Sequence, residues 1–332
     1  MIRKIWYILG LAVFTVLLVV AVFQTTWLST FLLRRVLSTR PGVIVREVSV
    51  GGQYFSFPGQ FHFQSVKMVL SLQGKDLSVD LPSVDVSGLQ QWFGADRRFL
   101  VDIKHAYLKY AAGICRDLNV HFTVVPQGVS GPVSAGECLW DKWRALDASS
   151  FMIVNATGVE VRALKFTAYD GHLAGKVVLR MDAPQVEYSG EIFMEGVNVV
   201  KLGEVSPAVM EQLDGVVTGT VSFKGDPVAL QILDAALIMP EGGNVSAALL
   251  SALTQYLPVS REKKRLDALI SRGGKLGMEL FSFSVKGGLG GKFAGELHLR
   301  SREINLELNL THEINTDGTM ASLLAYGQKF IQ

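Results

Sequence analysis

The sequence predicts a mainly β protein of the α+β kind. We expect an N-terminal transmembrane helix followed by an elongated, curved antiparallel β-sheet groove with a few short amphipathic helices. Two observations predict this: a long uncharged segment near the N-terminus, and a period-two alternation of apolar and polar residues through most of the remaining chain. We divide the chain into an anchor (1–40), an N-terminal β-sheet portion (41–147) and a C-terminal β-groove portion (148–332).

The uncharged segment runs from Ile5 to Phe23 and has basic residues on both sides. About 20 apolar residues in a helix span a hydrocarbon core of ~30 Å. A cleaved signal peptide has a shorter apolar run and a cleavage site of small residues, and neither is present here. We therefore favour an uncleaved anchor, with the short N-terminus in the cytoplasm and the body on the far side. The predicted anchor residues are Ile5, Leu9, Val13, Leu17, Val20 and Phe23.

The stretch from Trp27 to Val36 follows this segment and is also expected to be helical. It contains aromatic and basic residues, which are common at membrane interfaces. Two placements remain open for it. It either lies on the bilayer surface or lengthens a tilted span.

Alternation of apolar and polar residues marks the body of the chain. It is clear in 66–72, 77–81, 118–124, 217–223 and 304–310. Each of these segments predicts a strand with one apolar and one polar face. Gly, Pro and Asp lie between them, which favours antiparallel strands joined by turns.

A Gly-x3-Gly motif recurs at 171–175, 215–219 and 291–295, and each copy leads into an alternating strand. We interpret the first glycine as a turn residue. The second is interpreted as a strand glycine, at a place where the sheet bends or another backbone approaches closely. Similar sheet units that recur along a chain suggest an extended sheet.

Few helices are predicted in the body: 206–213, 227–239, 245–270 and 320–331. Pro207 suits the first position of one helix. Asn244 and Ser260 are predicted N-caps within the third segment.

The two cysteines, Cys115 and Cys138, allow two interpretations. An exported location would permit a disulfide between them. The alternative is that they are two unrelated buried thiols. Spacing along the chain does not by itself place two sulfur atoms within bonding distance, so both interpretations stay open.

Composition and motifs argue against several classes of function. The net charge is +2 and basic residues are not clustered, so we expect no nucleic-acid partner. The six histidines show no zinc-site spacing, and neither a nucleophile elbow nor a calcium loop is present. We therefore expect no metal, no cofactor and no enzymatic activity.

The apolar faces of the strands lead to two alternatives. They either line a trough or pack into an ordinary closed core. An exposed apolar trough would need an apolar occupant, and for a membrane-tethered protein a lipid acyl chain is the natural one. The candidate trough residues are Val217, Val221, Phe223, Leu297, Leu299, Ile304, Leu306, Leu308 and Leu310.

The anchor, the repeated Gly-x3-Gly strands and the segments 214–223, 242–258, 281–287 and 295–310 resemble the AsmA-like and YdbH-like envelope proteins. The resemblance covers roughly residues 150–315 and the anchor. It implies an inner-membrane anchor and a periplasmic β-groove that binds phospholipid. The implied role is lipid transport between membranes or outer-membrane maintenance, and no catalytic residues are implied.

This chain is shorter than the members of that family that bridge two membranes. It would therefore act with an envelope protein partner, as a homo-oligomer, or as a local lipid-binding module. A second resemblance is to the N component of type II secretion systems, which also has an N-terminal anchor and a β-rich body. It implies the alternative role of a structural or assembly component of an envelope machine.

Overall fold

The structure is a computed structural model, and it is mainly β, as the alternation predicts. It describes residues 26–38, 43–56, 59–72, 74–92, 97–182, 186–202, 213–226, 229–254, 259–273, 275–288, 292–301, 303 and 306–315. The chain divides after Asp141 into two compact units, which we call the N-terminal unit and the C-terminal unit. Each is described by itself.

The N-terminal unit is a meander in which each strand pairs antiparallel with the next. Its elements are α1 (Thr26–Ser38), β1 (Val43–Ser56), β2 (Gln60–Leu72), β3 (Lys75–Ser87), α2 (Leu89–Trp92), β4 (Phe99–Tyr110), β5 (Gly113–Val125) and β6 (Gly128–Trp140). The segments 66–72, 77–81 and 118–124 lie in β2, β3 and β5, so these strand predictions are confirmed.

Helix α1 packs against one face of this sheet. Leu33 contacts a buried cluster formed by Val50, Val66 and Val84, one residue from each of β1, β2 and β3. Ser29, one helical turn earlier, is hydrogen-bonded through its hydroxyl to the Gln53 side chain of β1. Residues four apart lie on the same face of a helix, so this side of α1 is held by the sheet.

The C-terminal unit is also antiparallel. Its main sheet has the order β7-β8-β9-β10-β11-β12-β15-β16-β17. The strands are β7 (Trp143–Asn155), β8 (Gly158–Ala168), β9 (Gly171–Arg180), β10 (Glu187–Asn198), β11 (Leu213–Gly225), β12 (Leu230–Met239), β13 (Gly243–Ser246), β14 (Lys275–Met278), β15 (Leu280–Gly287), β16 (Lys292–Ser301) and β17 (Leu306–Asn315). The short helix α3 (Val199–Leu202) follows β10.

Between β12 and β15 the chain makes an excursion that contains two helices. The strands β13 and β14 pair with each other, and β13 also pairs with the start of β11. Helices α4 (Ala247–Thr254) and α5 (Arg261–Ser271) lie between β13 and β14 along the chain, and they cover most of the predicted 245–270 segment. The predicted cap Ser260 is confirmed, because its hydroxyl accepts a hydrogen bond from Lys263 N at 3.1 Å.

Two local predictions are wrong. Residue Asn244 lies in β13, and the start of α4 is held instead by Ser246, whose hydroxyl accepts from Leu249 N at 3.2 Å. The predicted helix 227–239 is mostly the strand β12. Leu233 and Ala235 of this segment are buried, and β12 pairs with β11 on one side and with β15 on the other. Tertiary pairing therefore overrides the weak helical spacing there.

Several strands contain a bulge that the sequence does not reveal. Ser65, His105, Asp117, Asp147 and Ala163 all have positive φ, between 48° and 55°, in the middle of a strand. The pairing register shifts at four of these places, in β4, β5, β7 and β8. An extra residue of this kind bends its strand and increases the local twist, so the sheet of each unit is bent at these points.

Two glycines of the repeated motif show why the position excludes a side chain. A Cβ on Gly175 would collide with the carbonyl oxygen of Glu191 in the neighbouring strand β10. A Cβ on Gly219 would collide with the carbonyl oxygen of Ala236 in β12. The interpretation of the second glycine as a site of close backbone approach is therefore confirmed at these two positions.

Replacing Gly219 by Val is expected to destabilise the C-terminal unit by at least about 1–3 kcal/mol, because the strand β12 must shift to admit the new side chain. Urea denaturation of the full chain in detergent measures this change. The adjacent Thr220 provides the control, since it is half-buried on the opposite side of β11. Thr220→Val should leave the midpoint nearly unchanged, and an equal loss in both variants would contradict this explanation.

Some predictions lie outside the described residues. These are the anchor residues Ile5, Leu9, Val13, Leu17, Val20 and Phe23, the helix 320–331 and most of the helix 206–213. Within the described part of the chain, no helix has both the length and the apolar character needed to cross a bilayer.

Candidate functional site

One side of the main sheet of the C-terminal unit is apolar, and we call it the inward face. A single cross-strand row defines it: Val161, Val177, Gly190, Phe223 and Leu233 are consecutive register partners from β8 to β12. Side chains alternate between the faces of a strand. The aliphatic and aromatic residues at every second position of β7–β12 and β15–β17 therefore share this face.

The opposite, outward side of the sheet carries charged residues, together with some exposed apolar side chains such as Phe193 and Ile232. Ion pairs join neighbouring strands there, between Lys176 and Glu191 at 3.0 Å and between Lys286 and Asp234 at 3.7 Å. Register places all four residues on this outward face. The unit therefore has one apolar face and one face on which charged side chains are paired.

Over β11–β17 much of the inward face is covered by the chain itself. Leu299 and Leu276 are 0% exposed and Leu308 is 5% exposed, in a cluster that also includes Leu250 of α4 and Leu266 of α5. A second buried cluster lies beside it, formed by Leu230, Leu233, Val285 and Phe293. This part of the face is a closed core.

Over β7–β10 the inward face is not sealed. Ten apolar side chains of this part, up to Ile192, are half-buried, whereas the small Ala168 at the end of β8 is buried. We call this surface the open strip. Its residues are Met152, Val154, Val159, Val161, Leu164, Phe166, Leu173, Val177, Leu179 and Ile192.

Three of the nine predicted trough residues are buried in the closed core, and none of the nine belongs to the open strip. Val217, Leu299 and Leu308 belong to the sealed cluster. Val221 and Phe223 pack at the edge of the second cluster, and Leu297 packs against the first, all three half-buried. Leu306 and Leu310 lie in β17, in register with Ser301 and Leu297, and Ile304 is outside the described residues.

The residues of the open strip were not among the predicted ones. A signal for them existed in the sequence, since Leu173, Val177 and Leu179 alternate directly after the Gly171 turn. What the sequence does not show is that α4 and α5 cover β11–β17 and leave β7–β10 half-exposed.

The N-terminal unit has a comparable apolar face. Ile103, Leu118, Phe122 and Val133 of β4–β6 are half-buried on it. Cys115 and Cys138 are direct register partners between β5 and β6, with a Cα–Cα distance of 4.2 Å, and a disulfide joins them. The bond links neighbouring strands on this same face, because Cys115 is also the register partner of Leu108.

The polar face of the N-terminal unit carries histidine–aspartate pairs that sequence reasoning did not find. The side chain of His62 is hydrogen-bonded to that of Asp85, and the side chain of His121 to that of Asp102. Asp85 and Asp102 are themselves register partners between β3 and β4, so the four side chains form one row across β2–β5. Among the described residues, no group of His, Cys, Asp and Glu is arranged to hold a metal ion.

One outward pair has perturbed ionisation. Arg162 donates to both carboxylate oxygens of Glu160, at 2.7 and 2.8 Å. These hydrogen bonds are the main reason that the pKa of Glu160 lies below its ordinary value and that of Arg162 above it. Both side chains lie at the surface, away from the open strip, so the pair does not mark a site on the apolar face.

A shallow depression of about 420 Å³ lies over β12 and β15–β17. Ser282 and Ser284 lie in its lining, together with Glu296 and His298. These residues belong to the outward face, and their polar groups suit a solvated surface. The depression therefore differs in chemistry from the open strip.

No protein-family model, curated protein or solved structure matches this chain.

Proposed function

We propose that this chain is a non-catalytic protein that binds phospholipid acyl chains on the open strip of its β-sheet. It would be anchored in a bacterial inner membrane with its body in the periplasm, and would contribute to lipid transport between membranes or to outer-membrane maintenance. The observation that carries the proposal is the open strip itself: ten apolar side chains on four adjacent strands, none fully buried.

The size of the open strip fits an acyl chain. From Leu173 to Leu179 the strand β9 advances about 20 Å at ~3.4 Å per residue. One leaflet of a bilayer has a hydrocarbon depth of about 15 Å, half of the full core. An extended acyl chain therefore has enough apolar surface to lie along the strip.

The hydrophobic effect supplies the driving force. Each methylene transferred from water to an apolar surface contributes about 0.8 kcal/mol. The contacts are with aliphatic side chains such as Leu164, Val177 and Ile192, which offer no directional hydrogen bonds. Selectivity among acyl chains is therefore expected to be low.

The sequence supports the proposed location. An uncharged segment precedes the body, and the resemblance to AsmA-like and YdbH-like proteins implies the inner membrane and the periplasm. A disulfide between Cys115 and Cys138 is compatible with an oxidising compartment.

Two adjacent valines of β9 provide a matched test. Val177 lies on the inward face, opposite Val161 and Gly190, whereas Val178 lies on the outward face, opposite Glu160 and Ser189. Both are half-buried. Val177→Asp places a charge where the acyl chain would lie, so it should weaken uptake of a fluorescent phospholipid by more than about tenfold. The full chain in detergent micelles is titrated with that lipid, and bound lipid is quantified by mass spectrometry.

Val178→Asp is the control. It introduces the same charge on the same strand, so it should have a similar effect on stability but leave lipid uptake close to that of the original chain. Equal uptake by both variants would contradict the proposal, as would a purified full chain that takes up no phospholipid from micelles.

A second candidate function is that of an assembly component of an envelope machine, such as a protein similar to the N component of type II secretion systems. The closed core over β11–β17 favours it, because a sealed sheet presents only its outward surface to partners. Crosslinking in cells would then recover defined protein partners, and a variant such as Val177→Asp would not change lipid content.

A further inference from the structure

Helix α1 carries an exposed aromatic stripe on the side that faces away from the sheet. Trp27 is 73% exposed and Phe31 is 52% exposed. Their rings stack with centroids 5.8 Å apart, one helical turn from each other. Leu32 beside them is 48% exposed. Large apolar side chains that are grouped in this way usually mark a contact surface.

Two positively charged residues follow the aromatic stripe along α1. Arg34 and Arg35 follow the aromatic residues and are both exposed. The opposite side of α1 is occupied, because Leu33 packs on Val50, Val66 and Val84. One side of α1 is therefore held by the sheet, and the other side presents aromatic rings followed by positive charge.

A lipid surface is the partner that this combination fits. Aromatic rings are enriched at the level of the headgroups, and arginine side chains bind anionic headgroups. The uncharged segment 5–23 ends directly before α1, so the aromatic end of the helix is the end nearest to the predicted anchor. Because Leu33 packs on the sheet, α1 is not a simple extension of a membrane span.

We infer that α1 is an interfacial docking helix, which seats Trp27, Phe31 and Leu32 in the headgroup region of the bilayer and pairs Arg34 and Arg35 with anionic lipid. This inference rests on the proposed membrane attachment and adds a defined contact surface to it.

Photocrosslinking of the full chain tests the contact. The chain is reconstituted in vesicles of phosphatidylcholine and phosphatidylglycerol with benzoylphenylalanine at position 31 or, as control, at position 232. Ile232 is 50% exposed on the outward face of β12, which matches the exposure of Phe31. Lipid adducts identified by mass spectrometry are expected at position 31 and not at 232. Absence of lipid adducts at 31, or equal yields at both positions, would overturn the inference.

A second measurement separates the docking helix from the lipid-binding strip. Phe31→Glu should slow the pickup of phospholipid from vesicles by roughly tenfold, since an aromatic side chain no longer enters the interface. It should not change uptake from detergent micelles, and Ile232→Glu should change neither. If Phe31→Glu leaves both pickup from vesicles and uptake from micelles unchanged, α1 is not the docking surface. The proposal that the open strip binds lipid is then unaffected. If position 31 labels lipid but no lipid is taken up from micelles, the proposed function fails and the docking helix stands.

Discussion

Replacing Leu308 by Asp is expected to unfold the C-terminal unit. Leu308 is 5% exposed and lies opposite Leu299, which is 0% exposed, in the cluster sealed by α4 and α5. Loss of a buried leucine side chain alone costs about 2–5 kcal/mol. An unpaired carboxylate in the same place adds several kcal/mol. The sum approaches the whole stability of a typical domain, about 5–15 kcal/mol.

The neighbouring position provides the matched control. Asn309 is exposed on the outward face of the same strand, so Asn309→Asp introduces the same side chain without burial. Circular dichroism and urea denaturation of the full chain in detergent should show a lost or strongly lowered transition for Leu308→Asp only. A folded Leu308→Asp protein that merely loses lipid uptake would contradict the closed core and return this position to the lipid-binding surface.

Removal of the Cys115–Cys138 disulfide is expected to destabilise the N-terminal unit by about 3 kcal/mol. The two residues are 23 positions apart. A crosslink that closes a loop of this length lowers the conformational entropy of the unfolded chain, which corresponds to a stabilisation of about 3 kcal/mol. Urea denaturation of the Cys115→Ala, Cys138→Ala double variant, followed by tryptophan fluorescence, measures the loss.

Reductant supplies the control for this prediction. Dithiothreitol should lower the denaturation midpoint of the original chain to that of the double variant, and should not change the double variant at all. A reductant effect of equal size on both proteins would show that the bond is not the cause.

The strand content of the chain was predictable because it depends on a local pattern. Segments such as 118–124 and 217–223 alternate strictly, and the structure has β5 and β11 there. Ser260 was also a local signal, since a cap needs only the residues that follow it. These features depend on a few neighbours along the chain.

What the sequence did not reveal depends on distant contacts. The segment 227–239 has a weak helical spacing, and it becomes β12 because β11 and β15 lie on both sides of it. The burial of three predicted trough residues, Val217, Leu299 and Leu308, was hidden for a similar reason. Leu299 and Leu308 look as apolar as Leu173 and Val177, and only the position of α4 and α5 decides which of them are covered.

The connectivity of the two units has a consequence for the order in which they form. Every strand of the N-terminal unit pairs with the next strand along the chain, so each hairpin can close as soon as its residues have been synthesised. In the C-terminal unit, β12 can pair with β15 only after β13, both helices and β14 have been synthesised. Nascent chains stalled near residue 260 should therefore contain a protease-resistant N-terminal unit beside an unfinished C-terminal one.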